Sequence, residues 1–61
     1  MYKITYQVDV DGLASVIRYD GVLYVSDDTA KGARDKAESF ITSAYSGTFV
    51  ILEVMPLVVL D

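Results

Sequence analysis

"LASVIRYDGVLYV", residues 13–25, is the stretch whose reading decides the fold. It sets a turn signal, Asp20-Gly21, among residues that favour strands, and Gly supplies the backbone freedom of a tight turn. One reading ends a strand at Tyr19, turns at Asp20-Gly21 and starts another strand over Val22 to Val25. The other keeps residues 13–25 as one long strand with a glycine-marked bulge, because Leu13, Ile17, Tyr19, Leu23 and Val25 share a parity. The first gives a sheet of four strands, the second a sheet of three.

Upstream, "YKITYQVDV" (2–10) alternates without a break, with Tyr2, Ile4, Tyr6, Val8 and Val10 on one side and Lys3, Thr5, Gln7 and Asp9 on the other. A period of two over this length predicts a strand with one buried face. Asp11-Gly12 then offers the positive φ values of a tight hairpin turn.

Downstream the period changes. Ser26 is a favourable N-cap, and Asp27 and Asp28 in a first turn would face the positive end of the helix dipole, so a helix is expected from this point. Ala30, Ala33, Ala37, Phe40, Ile41, Ala44 and Tyr45 recur at helical spacing on one face, with Lys31, Asp35, Glu38, Ser39 and Thr42 mostly opposite. Four of those seven are Ala, which lets the helix lie close to a sheet face built of Tyr, Ile and Val. Gly32 costs the helix up to about 1 kcal/mol relative to Ala and is read as tolerated rather than required. The pairs Lys31/Asp35 and Arg34/Glu38 are worth about 0.2 to 0.5 kcal/mol each and carry no functional weight.

Ser46-Gly47 stops the helix. "TFVILEVM" (48–55) is a final strand before Pro56, which has no N–H to give to a ladder. Val50, Leu52 and Val54 form one face of it, yet Phe49, Ile51 and Met55 make the other face apolar too, interrupted only by Glu53. A strand apolar on both sides is normally covered on both, and one helix covers only one. The expected class is α+β: a single domain over residues 1–61, with a mainly antiparallel sheet of three or four strands and one helix on one face, in the order β-β-(β)-α-β.

Composition narrows the possible functions. A chain of 61 residues buries only about 60% of the surface it exposes when unfolded. It has neither Cys nor His, which excludes disulfides and argues against a zinc staple. A hydrophobic content of 52% with five Tyr is far from the composition of disorder. Nine acidic residues against five basic give a net charge of -4, which disfavours direct nucleic-acid binding. The same charge suits a protein partner with a basic surface, including one that ordinarily holds nucleic acid. The alternating start lacks the features of a signal peptide, and no run reaches the ~20 apolar residues of a membrane span. A cytoplasmic protein with no membrane partner is the expectation.

Parts for catalysis are scarce. Without His or Cys, the common general base at neutral pH and the best side-chain nucleophile are both missing, and neither G-x-S-x-G nor S-x-x-K occurs. "AKGARDK" has one Gly and lies inside the expected helix, so it is no phosphate loop. "DVDG" (9–12) fails as a calcium loop, because setting Gly12 at the turn glycine puts Gln7 in the first ligand position and Arg18 in the last. No enzyme, cofactor or metal site is expected.

Three surfaces remain as candidates. In a three-strand meander the Asp11-Gly12 turn and the helix start fall at one end of the sheet, gathering Asp9, Asp11, Asp27 and Asp28 into an acidic rim with Lys31 nearby. A continuous strand over 13–25 would split that rim, and turn and helix-start chemistry explains the four residues locally. Tyr24 has parity opposite to Leu23 and Val25 and is expected on the outer sheet face with Phe49 and Ile51, whereas Tyr19 belongs to the core or its edge. The tail "PLVVL" (56–60), through Leu57, Val58 and Leu60, either caps the chain's own core or contacts another molecule.

"LYVSDDTAKGARDKA" (23–37), a strand running into a capped helix, followed by "GTFVILEV" (47–54), resembles the layout of small bacteriophage β-β-α-β inhibitors of host machinery. These include a short inhibitor of bacterial RNA polymerase and some anti-CRISPR proteins. The resemblance spans about half of the chain, and the hairpin at 11–21 and the apolar tail depart from it. It implies a noncatalytic protein, acting in the host cytoplasm, that binds and blocks a larger protein or nucleoprotein assembly through acidic and aromatic surface. It assigns no contact residue by itself; the candidates come from the three surfaces above and are Asp9, Asp11, Asp27, Asp28, Tyr24, Phe49, Ile51, Leu57, Val58 and Leu60. The competing expectation is a homo-oligomeric structural subunit, such as a homodimer, since extensive exposed apolar surface is uncommon on a monomer.

Overall fold

The computed structural model describes residues 1–58. It contains β1 (Tyr2–Asp11), β2 (Val16–Val25), α1 (Ala30–Ala44) and β3 (Thr48–Pro56). The sheet order is β2-β1-β3, with both outer strands antiparallel to β1. The outer strands are therefore parallel to each other, and α1 carries the chain across β1 from one edge to the other. The class is α+β, in the order β-β-α-β, with the helix on one face of a three-stranded antiparallel sheet.

β2 is one continuous strand. Its register against β1 runs unbroken from Tyr2↔Val25 to Asp11↔Val16, and Gly21 sits opposite Tyr6 with neither turn nor bulge. Glycine is required there for a different reason: a Cβ at position 21 would collide with the Tyr6 ring. The ring, only 5% exposed, fills the space that a β2 side chain would otherwise take. An aromatic neighbour thus covers a strand glycine that has no side chain of its own to pack. The hairpin connection is also longer than a two-residue turn. It runs from Gly12 to Ser15, closed by the Gly12 N–H donating to the Ser15 carbonyl at 2.8 Å. Leu13, expected within the strand, lies in this loop fully exposed.

β3 departs from simple alternation. Thr5 pairs with Glu53 but Tyr6 pairs with Ile51, leaving Leu52 as an extra residue in a β-bulge. One inserted residue reverses the parity of everything beyond it. Ile51 and Val54 therefore both pack against the core, and Phe49 lies opposite buried Val8. This corrects the placement of Phe49 and Ile51 on the outer face. Val50 is there instead, opposite Gln7, while Met55, which shared their expected side, keeps it opposite Lys3.

The helix begins at Ala30, three residues later than expected. Thr29, not Ser26, is the N-cap: its backbone is extended (φ -129°, ψ 153°) and its Oγ1 accepts from the Gly32 N–H at 3.0 Å. Ala33, Ala37 and Ile41, four residues apart, form the buried stripe and meet Ile4, Tyr6 and Val8 of β1. Ala30, Phe40 and Ala44, expected on that face, are exposed, because a sheet three strands wide covers only a narrow stripe of a helix. Tyr45 continues the stripe half-buried, its ring 6.1 Å from that of Tyr19. Burial first, and the neighbouring Tyr45 phenol second, hold the Tyr6 hydroxyl above its ordinary pKa. At the return into β3, Gly47 has φ +152° and its backbone passes so close to the Asp9 carbonyl that a Cβ would collide with it.

Strand propensity favours Val over Gly, so the Tyr6 contact predicts the opposite sign from propensity at position 21. Gly21→Val is expected to destabilise the fold by about 1 to 3 kcal/mol through overpacking, measured by chemical denaturation.

Candidate functional site

The face of the sheet opposite α1 carries no covering element among the described residues. Its side chains follow from the register in rows across β2, β1 and β3: Tyr24, Lys3 and Met55, then Val22, Thr5 and Glu53, then Asp20, Gln7 and Val50, then Arg18, Asp9 and Thr48. Val16 and Asp11 close the far end. The centre strand is polar and half-buried, while Val16, Val22, Tyr24, Val50 and Met55 are exposed along the flanks. Tyr24 stands out at 63% exposure, beside Lys3. Leu52, the extra residue of the bulge, is exposed as well.

This face is acidic. Asp9, Asp11, Asp20 and Glu53 outnumber Lys3 and Arg18, which leaves it two negative charges in excess. Arg18 is committed to Asp9 in a two-pronged contact, Nε to Oδ1 at 2.7 Å and Nη2 to Oδ2 at 3.1 Å. That hydrogen-bonded guanidinium holds the Asp9 carboxyl below its ordinary value. Lys31 and Arg34 pair along the helix with Asp35 and Glu38, and Lys36 reaches Asp27. Lys3 has no ion-pair partner among the described residues.

The expected acidic rim is not formed. Because β2 is continuous, Asp11 and the hairpin loop after it lie at one end of the sheet and the helix start lies at the other, beside the Tyr2↔Val25 pair. Asp9 and Asp11 are thus separated from Asp27 and Asp28 by the length of β2. Asp27 has a local duty instead. Its Oδ1 accepts from the Thr29 N–H at 3.0 Å, and Lys36 Nζ ties its Oδ2 and the Ser26 carbonyl together, both at 3.0 Å. These bonds, led by the Thr29 amide, hold its carboxyl below the ordinary value. The same carboxylate occupies the space that a Cβ on Gly32 would need, so this glycine is a close contact and not merely tolerated.

At the same end of the sheet, beyond the Tyr2↔Pro56 pair, the Leu57 N–H donates to the Met1 carbonyl at 2.9 Å, extending the ladder one step past Pro56. Leu57 is half-buried and Val58 exposed; Leu60 lies outside the described residues. An open groove between α1 and β3, lined by Asp35, Glu38, Ser39, Thr42, Ser43 and Phe49, holds two carboxylates and three hydroxyls but no basic group. Among the described residues no cluster of carboxylates is arranged to hold a metal ion, and no helix is long and apolar enough to cross a membrane.

Of the candidate residues, then, Tyr24, Asp9 and Asp11 lie on the open face, Phe49 and Ile51 on the helix side, and Asp27 and Asp28 at the helix entry. Val16, Val22 and Val50 are face residues that the sequence reading missed, and Met55, which it set on the same side as Phe49 and Ile51, was not among its candidate contacts. Their alternation with Ile17, Leu23 and Ile51 was the available signal, masked by the bulge in β3 and by the turn-like Asp20-Gly21. Comparison with protein-family models, with curated proteins and with solved structures finds no match to this chain.

The depressed carboxyls make acid sensitivity predictable in sign. Asp9 and Asp27 titrate lower in the folded chain than their ordinary 3.8, so their contribution is complete at neutral pH and is lost as pH falls from about 3.8 through the folded values. The melting temperature is expected to drop across that window, and the double variant Asp9→Asn/Asp27→Asn should show a shallower acid limb from a lower neutral plateau.

Proposed function

We propose that this chain is a noncatalytic protein-interaction module that binds a larger protein assembly through the open face of its sheet. The observation that supports this most is the uncovered face itself: an exposed Tyr24 next to Val22 on one flank, Val50 and Met55 on the other, on a surface with excess negative charge. Such a surface combines an aromatic anchor with charge that steers toward a basic partner, and Tyr is among the residues that dominate binding energy at interfaces. The acidic element of the reading thereby moves from the rim to the face. Inhibition of a host assembly, the mode of the phage proteins whose layout the sequence resembles, is the action we assign to this binding. Catalysis has no place in the proposal, since the chain lacks His and Cys, the common general base and the best side-chain nucleophile.

Affinity capture from bacterial extract tests the surface. Tyr24→Asp is expected to weaken capture of a specific protein by about thirtyfold, the scale of a hot-spot residue, while leaving the circular dichroism spectrum unchanged. Lys31→Glu, on the exposed side of the helix, should leave capture intact. Equal capture by the wild type and Tyr24→Asp would remove the open face as the binding surface.

A further inference from the structure

The two edges of the sheet differ in a way that points to a particular partner. β3 is protected against pairing by its bulge at Leu52 and by Pro56. β2 has neither device: it is ten residues long, contains no Pro, and keeps a regular register from end to end. The outward N–H and C=O groups of such an edge are a template for another strand. Val16, Tyr19 and Val22 along it are 61%, 47% and 46% exposed.

We propose that a second copy of this chain pairs with β2, antiparallel, about a two-fold axis through Tyr19, so that two sheets become one of six strands. Symmetry leaves few choices. An axis normal to the sheet must pass through a residue, because opposite residues in an antiparallel pair project to the same face. An axis at Arg18 or at Asp20 would set like charges directly opposite, which is destabilising. An axis at Gly21 would leave Asp20 against Val22 and Arg18 against Tyr24. An axis at Tyr19 sets Arg18 of each copy opposite Asp20 of the other, Val16 opposite Val22, and Ile17 opposite Gly21.

The chain's own contacts leave the required groups available. Arg18 binds Asp9 through Nε and Nη2, so Nη1 remains for a second carboxylate. Asp20 has no ion-pair partner within the chain among the described residues. Two charge pairs, two Val pairs and a central Tyr pair then form from one self-complementary segment. Arg18 and Asp20 belong to the β2 margin of the open face, but the contact leaves Tyr24, Lys3 and the β3 flank uncovered, and the face is doubled in width in the assembly.

Light scattering behind size exclusion, up to millimolar protein, reads the assembly directly. The wild type is expected to run as a dimer, with Asp20→Arg and Arg18→Asp each folded by circular dichroism but weakened at least about tenfold in dimer Kd. An equimolar mixture of the two variants should recover the dimer, because it restores opposite charges at every cross-copy position. A wild type that stays monomeric, a variant that dimerises like the wild type, or a mixture that recovers nothing would overturn the proposal. Should Arg18→Asp fail to fold for loss of its Asp9 contact, Asp20→Arg is compared with Asp20→Asn. The reversed charge must weaken the dimer more than the neutral one, and equal constants would likewise overturn it. Partner capture through Tyr24 is unaffected by either result, so the two proposals fail separately.

Discussion

The ring of Tyr6 occupies the space that any side chain at position 21 would need, and the geometry of the molecule follows from that contact. With the ring laid over it, Gly21 continues an extended strand in place of turning the chain. β2 therefore reaches from Val16 to Val25, and the chain leaves it at the end of the sheet remote from the hairpin loop. The helix must start there and return across β1, which brings Ala33, Ala37 and Ile41 down on Ile4, Tyr6 and Val8. Position, length and direction of the helix all depend on the strand not ending at Tyr19.

Most of the fold was legible because its signals were periodic. The strict alternation in β1 and the helical recurrence of Ala33, Ala37 and Ile41 each reflect a local constraint that acts without knowledge of the rest of the chain, whereas β3 runs through Pro56, before which the sequence placed its end. What was not legible depends on contacts between distant residues. Asp20-Gly21 reads as a turn until Tyr6 is placed on it, and Gly32 reads as a tolerated defect until the Asp27 carboxylate is placed beside it. Ser26 and Thr29 are equally good caps in isolation. Pairing of Val25 with Tyr2 uses up the residues before Ser26, and the turn made by Asp27 then presents Thr29 to the Gly32 amide.

The candidate surface was misread for a related reason. A bulge inserts one residue without a distinctive sequence mark, and a single shift exchanges the two faces of a strand. Ile51 thereby turned from a presumed contact residue into a core neighbour and Phe49 moved to the helix side, while Val50 came out opposite Gln7 and Met55, beyond the bulge, kept its side. The apolar character on both sides of "TFVILEVM" is thus explained in part by the fold itself: Ile51 and Val54 share one face although their spacing in sequence is odd. The remaining exposed apolar groups, together with an edge strand that has neither bulge nor proline, are the surfaces on which the two proposals rest.

Proton NMR of Gly21 tests the continuity of β2 most directly. The Tyr6 ring current should shift the Gly21 Hα resonances strongly upfield, with cross-strand contacts observed both from Val8 to Tyr19 and from Ile4 to Leu23, and Tyr6→Leu should abolish the shift. Ordinary Gly21 shifts, with turn contacts between Asp20 and Val22 and no Ile4 to Leu23 contact, would contradict the single strand. The helix position and both proposed surfaces would then have to be redrawn.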